Sequence, residues 1–212
     1  MLDNDTEDRV YKFYNEIVEP MYAELLQQGI RLHSVTEKNN QVLSAIASAN
    51  RRSNVQDAQS DLDTAFRFVV DAGLEVAQEI ALKLSTQANE ILSNKEKTKW
   101  CACAPKEKVI EDHKYALKTH KEALESRTNT PNEREEAVYK FKEAATAYRA
   151  WIGLFDPELL QDFKYFQWKN AARSQTIGFI VGLITSTIVT VAAWQFLPPQ
   201  QASQSPPQVS KK

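Results

Sequence analysis

Residues 61–92 read DLDTAFRFVVDAGLEVAQEIALKLSTQANEIL, and the spacing within them decides the fold class. Leu62, Phe66, Val69, Val70, Leu74, Ala77, Ile80, Leu84, Ala88 and Ile91 follow one another mostly at intervals of three and four. Such intervals gather side chains on one face of a helix, whereas a strand would need strict alternation. A face held for some thirty residues predicts a rod of about 45 Å. One apolar face on a rod this long requires other helices to cover it.

The neighbouring stretches supply them. Val10, Tyr14, Ile17, Met21 and Leu25 form a stripe over about 6–28, with Pro20 inside it to kink or split the helix and Gly29 to stop it. Val35, Val42, Ile46 and Ala49 make a thinner stripe over about 34–53. After a basic stretch, NKEKTKWCACAPKEK at 94–108, a further helix is expected from Pro105 to about Ser126, with Ile110, Leu117 and Leu124 one heptad apart as its core face. Thr130-Pro131-Asn132-Glu133 is a capping-box start. Val138, Phe141, Ala145, Tyr148 and Ile152 line the helix it opens. Five glycines in 212 residues argue the same way, since tight turns and phosphate-cradling loops need glycine and helices avoid it. The expectation is all-α: an elongated, mainly antiparallel bundle over 1–155, with breaks at Gly29, Ser60, Pro105 and Pro131.

Asp156-Pro157-Glu158 starts another helix, and no proline follows until Pro198. Residues 156–175 are therefore read as an amphipathic juxtamembrane helix. Residues 176–197, TIGFIVGLITSTIVTVAAWQFL, contain no charged side chain. As a helix they would extend about 33 Å, enough to cross a hydrocarbon layer of about 30 Å. This is the expected single C-terminal transmembrane helix of a tail-anchored, single-pass membrane protein. Tyr165 and Trp168 before the span, and Trp194 and Phe196 at its far end, are the expected interfacial anchors. Residues 198–212, rich in Pro, Gln and Ser, are expected to be a disordered tail. The N-terminus, MLDNDTEDRV, has neither the basic nor the apolar part of a signal peptide. Together with the slight excess of Lys164, Lys169 and Arg173 over Lys211 and Lys212, that predicts a cytoplasmic body with the tail on the opposite side.

Within the span, Gly178 and Gly182 form GxxxG, and Ser186 and Thr190 continue the four-residue spacing. Small residues on one face let two helix backbones approach closely, so this face is the candidate seam of a homodimer or of pairing with a partner. Cys101 and Cys103 sit in Trp-Cys-Ala-Cys-Ala-Pro, flanked by Lys95, Lys97, Lys99, Lys106 and Lys108. They are read as exposed loop thiols, with acylation at an anionic membrane as the chemistry open to them. His113 and His120 follow on the next helix. The C-x-C and His-x₆-His spacings do not match a zinc site, so no metal is expected and the histidines are assigned to a core edge.

Twenty-four basic and 28 acidic residues precede residue 176, a net charge of −4. That balance is too mild and mixed to imply a nucleic-acid partner. Residues 3–8 begin like a calcium loop, but Asp8 stands where its glycine belongs and Tyr14 where its bidentate glutamate belongs. No P-loop, GxSxG, HExxH or GxGxxG occurs. Neither an enzymatic site nor a cofactor is expected. A helical body ending in an anchor is similar in layout to tail-anchored fusion proteins of the SNARE type. Asp156-Pro157 interrupts the heptad run those proteins carry into the anchor, and no central-layer signature is evident, so no family is assigned. The expected function is a membrane-anchored helical scaffold or adaptor that binds membrane lipid and presents a cytoplasmic surface to protein partners. The alternative is a membrane-remodelling or permeabilising factor that oligomerises through its span.

Overall fold

A computed structural model of the chain describes residues 4–126, 131–165 and 167–169. The described residues are helical, with no strand among them, and build a helical bundle. The chain falls into two units, Met1–Leu160 and Gln161–Lys212.

The first unit opens with α1 (Asn4–Phe13), a π-helical turn (Tyr14–Val18) and α2 (Glu19–Gln27). The amide of Glu19 donates to the carbonyl of Tyr14, five residues back. Pro20 explains the wider turn. It has no N–H to give, and its ring would crowd the carbonyl four residues earlier in an α-helix. The inserted residue rotates the chain, so Phe13, Ile17 and Val18 all turn inward while Tyr14 is half-buried. Gly29, at φ 77°, ends α2. Ile30 N donates to Leu25 O at 2.9 Å and Gly29 N to Leu26 O at 3.0 Å, the paired bonds of a left-handed glycine cap.

Helix α3 (His33–Ala49) buries Val35, Val42, Ile46 and Ala49, the four residues of its sequence stripe. The break expected at Ser60 is not there. Helix α4 starts at Val55 and runs 39 residues to Ser93, because the Asn54 side chain caps it by accepting the Gln56 amide at 3.0 Å. Asn94 ends α4 and at once caps α5 (Lys95–Cys101), accepting from Glu96 N at 3.1 Å and Lys97 N at 3.0 Å. Part of the expected basic loop is thus a short helix. Helices α6 (Lys106–Glu125) and α7 (Pro131–Ile152) follow, and α8 (Pro157–Gln161) is capped by Asp156, whose carboxylate accepts from Glu158 N and Leu159 N.

Helix α4 is central: α1, the π turn, α2, α3 and α7 pack on it, while α6 packs on α7. Gly73 is where the N-terminal segment crosses α4. A Cβ there would stand 3.1 Å from Phe13 Cε1 and 3.2 Å from Val18 Cγ2. Ion pairs mark the registers. Arg9–Glu135 and the two-oxygen Arg149–Glu24 pair align α1 and α2 with α7, and Arg134–Asp71 aligns α7 with α4. Residue numbers rise together along Arg9–Glu135 and Glu24–Arg149, and again along Thr6–Gln59 and Gln28–Lys83, so α1/α2, α4 and α7 run in the same direction. Only the hairpins α3–α4 (Lys38–Glu75, Arg52–Asp61) and α6–α7 (Val109–Trp151, His120–Phe141) are antiparallel. The expectation of a mainly antiparallel bundle is corrected to this extent. Consecutive long helices do alternate, but α1/α2 and α7, which also meet on α4, run parallel to it because α3 and α6 bring the chain back between them.

Among the described residues no helix is long and apolar enough to cross a membrane. The span at 176–197 lies outside them, as do Gly178, Gly182, Ser186, Thr190, Trp194, Phe196 and the 198–212 tail. In the second unit, residues 163–165 and 167–169 are helical and follow a bend at Asp162. The segment after Pro157 is therefore not one unbroken helix. Aspartate competes for the backbone through its own side chain and is a weak helix former. Tyr165 and Trp168 are both exposed, with ring centroids 6.2 Å apart.

Candidate interaction surface

The α6–α7 seam organises the exposed face of the bundle. Helix α7 brings three large aromatics to it, Phe141, Tyr148 and Trp151, all essentially buried. Bulk on one helix demands small residues on the other. Helix α6 answers with Val109, Ala116, Thr119 and Ala123, which are its buried residues. The stripe Ile110, Leu117 and Leu124, expected from sequence to be the core face, is 44%, 46% and 49% exposed. That expectation is corrected. Two heptad rows lie side by side on α6, and the size of the α7 side chains selects the smaller one for the interior.

His113 and His120 stand between the two rows, half-buried at the seam. The His113 ring lies 5.1 Å from Trp151, and its buried Nε2 has no hydrogen-bond partner. His120 Nδ1 and the Tyr148 hydroxyl, 3.2 Å apart, share a hydrogen bond, and the His120 ring stands edge-on to Tyr148 and Phe141. Burial holds both imidazoles below their ordinary pKa and pushes the Tyr148 phenol up. Each histidine is placed by aromatic packing. Among the described residues no group of three or more His, Cys, Asp or Glu side chains is arranged to hold an ion.

His120 and Leu124 also face a cleft of about 390 Å³. Its other lining is Glu75, Gln78, Glu79 and Leu82 from α4, Phe141 from α7, and Leu32 from the segment before α3. The cleft exists because α4 and α6 both lean on α7 without packing closely on each other. Leu82 is 56% exposed, so apolar side chains approach the opening from both walls. Glu75 pairs with Lys38. Glu79 is in no ion pair among the described residues, which leaves a carboxylate beside the apolar side chains of Leu82 and Leu124. The arrangement suits a helix or extended segment with apolar side chains and a basic group directed at Glu79.

A second hollow of about 200 Å³ lies beside the π turn, between Glu16, Pro20 and Glu24 on one side and Lys142, Thr146 and Arg149 on the other. The Arg149–Glu24 bonds, both 2.6 Å, link its two sides.

The two cysteines part company in the structure. Cys101 is 1% exposed and its thiol pKa is raised by burial, whereas Cys103 is exposed. Both thiols are free. The pair is therefore not two exposed loop thiols. Backbone bonds from Cys103 N to Leu154 O and from Asp156 N to Cys101 O, both 2.8 Å, clip this segment to the end of α7 as a single antiparallel bridge. A single sequence carries no sign of that pairing, because it joins residues some fifty positions apart.

Comparison with protein-family models, with curated proteins and with solved structures gives no match to this chain.

Proposed function

We propose that this protein is a membrane-anchored helical scaffold or adaptor, without enzymatic activity, whose bundle presents a docking face to a protein partner. The observation that carries the reading is the exposed row Ile110, Leu117 and Leu124 beside the α4–α6 cleft. Water-exposed aliphatic side chains aligned along a helix and continuous with a partly apolar cleft are a feature a partner would cover. The uncharged run at 176–197 supports the anchor, with the body cytoplasmic and the tail across the membrane. Confinement to a thin layer raises the encounter rate of the body with neighbouring proteins. A homodimer through Gly178, Gly182, Ser186 and Thr190 belongs to the same proposal.

The test is crosslinking and capture from native membranes with the wild-type chain and with Leu117→Glu plus Leu124→Glu. Both positions face solvent, so the variant should keep its circular dichroism and lose the captured partner. Retention of the same partner would remove this face from the proposal. Leakage of vesicles on adding the wild-type protein would favour the permeabilising alternative.

A further inference from the structure

Helix α5 is lysine-rich and short, and its sequence, KEKTKWC, ends in an exposed tryptophan followed by a buried cysteine. The two backbone bonds between Cys101–Cys103 and Leu154–Asp156 hold it against the point where the chain leaves α7. The start of α6 is held at the same end, since Trp151 Nε1 donates to Val109 O at 2.8 Å. Lys95, Lys97, Lys99, Lys106 and Lys108 are thereby collected at one end of the bundle, although they come from two helices. Lys95 and Lys99, four residues apart, share a face of α5. Trp100 is 53% exposed, with Lys99 Nζ 5.5 Å from its ring centroid. Lys108 pairs with Asp112, while Lys95, Lys97, Lys99 and Lys106 are in no ion pair among the described residues. Glu96, Glu107 and Glu158 lie near the same end, and Asp156 is engaged in capping α8. Twenty residues after Asp156 the uncharged run begins.

We infer that this end of the bundle rests on the anionic headgroup layer of a bilayer, with Trp100 inserted at the interface and Lys95, Lys99 and Lys106 on the lipid phosphates and carboxylates. Lysine supplies mobile point charges suited to a fluid array of anions, and tryptophan is the side chain that favours the boundary between headgroup and hydrocarbon. The patch lies where the chain leaves α7, and in sequence the uncharged run begins only twenty residues after Asp156, which favours a lipid surface over a nucleic acid or an acidic protein. The tilt of the docking face above the membrane would then be set by α5 and not by the linker alone. This inference builds on the anchor reading above, and the experiment separates the two.

The full chain is reconstituted into vesicles of phosphatidylcholine with and without phosphatidylserine, and alkaline extraction from the neutral vesicles reads the anchor. Trp100 is read as the emission difference between wild type and Trp100→Phe, with a quencher attached to lipid headgroups and, separately, with acrylamide in the water. Headgroup quenching of the Trp100 component should rise several-fold when phosphatidylserine is present, and molar salt should reverse the rise. Lys95→Glu, Lys99→Glu and Lys106→Glu together should abolish it with the circular dichroism unchanged, about tenfold or more in apparent lipid preference. If that variant misfolds, the salt reversal on wild type still decides. Equal acrylamide access to Trp100 in both vesicle types overturns the inference, whatever extraction shows. So does a duplex oligonucleotide that shields Trp100 when phosphatidylserine does not. A chain extracted by alkali whose Trp100 still answers to phosphatidylserine would remove the anchor and leave the inference standing.

Discussion

Trp151→Phe tests the packing of the α6–α7 seam at its most loaded residue. Trp151 is fully buried, its ring lies 4.8 Å from Phe155 and 5.1 Å from His113, and its indole N–H donates to Val109 O at 2.8 Å. Phenylalanine keeps an aromatic ring but loses that donor, which contributes about 1 kcal/mol between neutral groups. It also loses part of the ring system, equivalent to between one and two buried CH₂ groups, or about 1–1.5 kcal/mol. The expected cost is about 2–3 kcal/mol, against about 3–5 kcal/mol for Trp151→Ala, which opens a larger void. Denaturant titration of the full chain, followed by circular dichroism, gives the totals. Hydrogen exchange locates them, with faster exchange expected in the first turns of α6 and at residues 101–103 and 154–156, and none in α3. A loss below about 0.5 kcal/mol for Trp151→Phe, the range of an ordinary surface substitution, would refute the description of this end of the bundle as a packed core.

Burial lowers the pKa of His113 and His120 from the ordinary 6.5, so the unfolded chain takes up protons that the folded one resists. Stability should be complete above that value and decline as pH falls through it toward the lowered folded values. Midpoints measured between about pH 7 and about pH 5.5 should show a slope that His120→Gln reduces. An aromatic disulfide reagent should modify the exposed Cys103 in the native protein and Cys101 at least about tenfold more slowly, unless denaturant is added, because the Cys101 thiol is buried and raised in pKa. Gly73→Val should cost about 1–3 kcal/mol by forcing Phe13 and Val18 away from α4. An unchanged midpoint would mean that the π turn does not cross where it is described.

The π turn and the α6 stripe show how differently two kinds of information are carried. Pro20 announces a disturbance in sequence because its missing N–H is a local fact. The response, a π-helical turn that brings both Phe13 and Val18 onto Gly73, is a matter of packing. Asn54 and Asn94 are legible caps in hindsight, since an asparagine side chain accepts amides only two or three residues ahead. The candidate site was far less legible. Val109, Ala116 and Ala123 repeat with the same period as Ile110, Leu117 and Leu124, and hydrophobicity alone ranks the larger row as the core.

From the chain alone follow the all-helical class, the helix that ends at Gly29, the buried stripes of α3 and α4 and the starts at Pro131 and Pro157. These rest on periodicity and on hydrogen bonds between near neighbours, which a linear string records. The partnership of α4 with α7, the outward face of α6, the cleft beside it and the clip between Cys101–Cys103 and Leu154–Asp156 were decided by tertiary structure. Each depends on which bulky side chain meets which small one across distant segments, and that complementarity of volume has no period in the sequence.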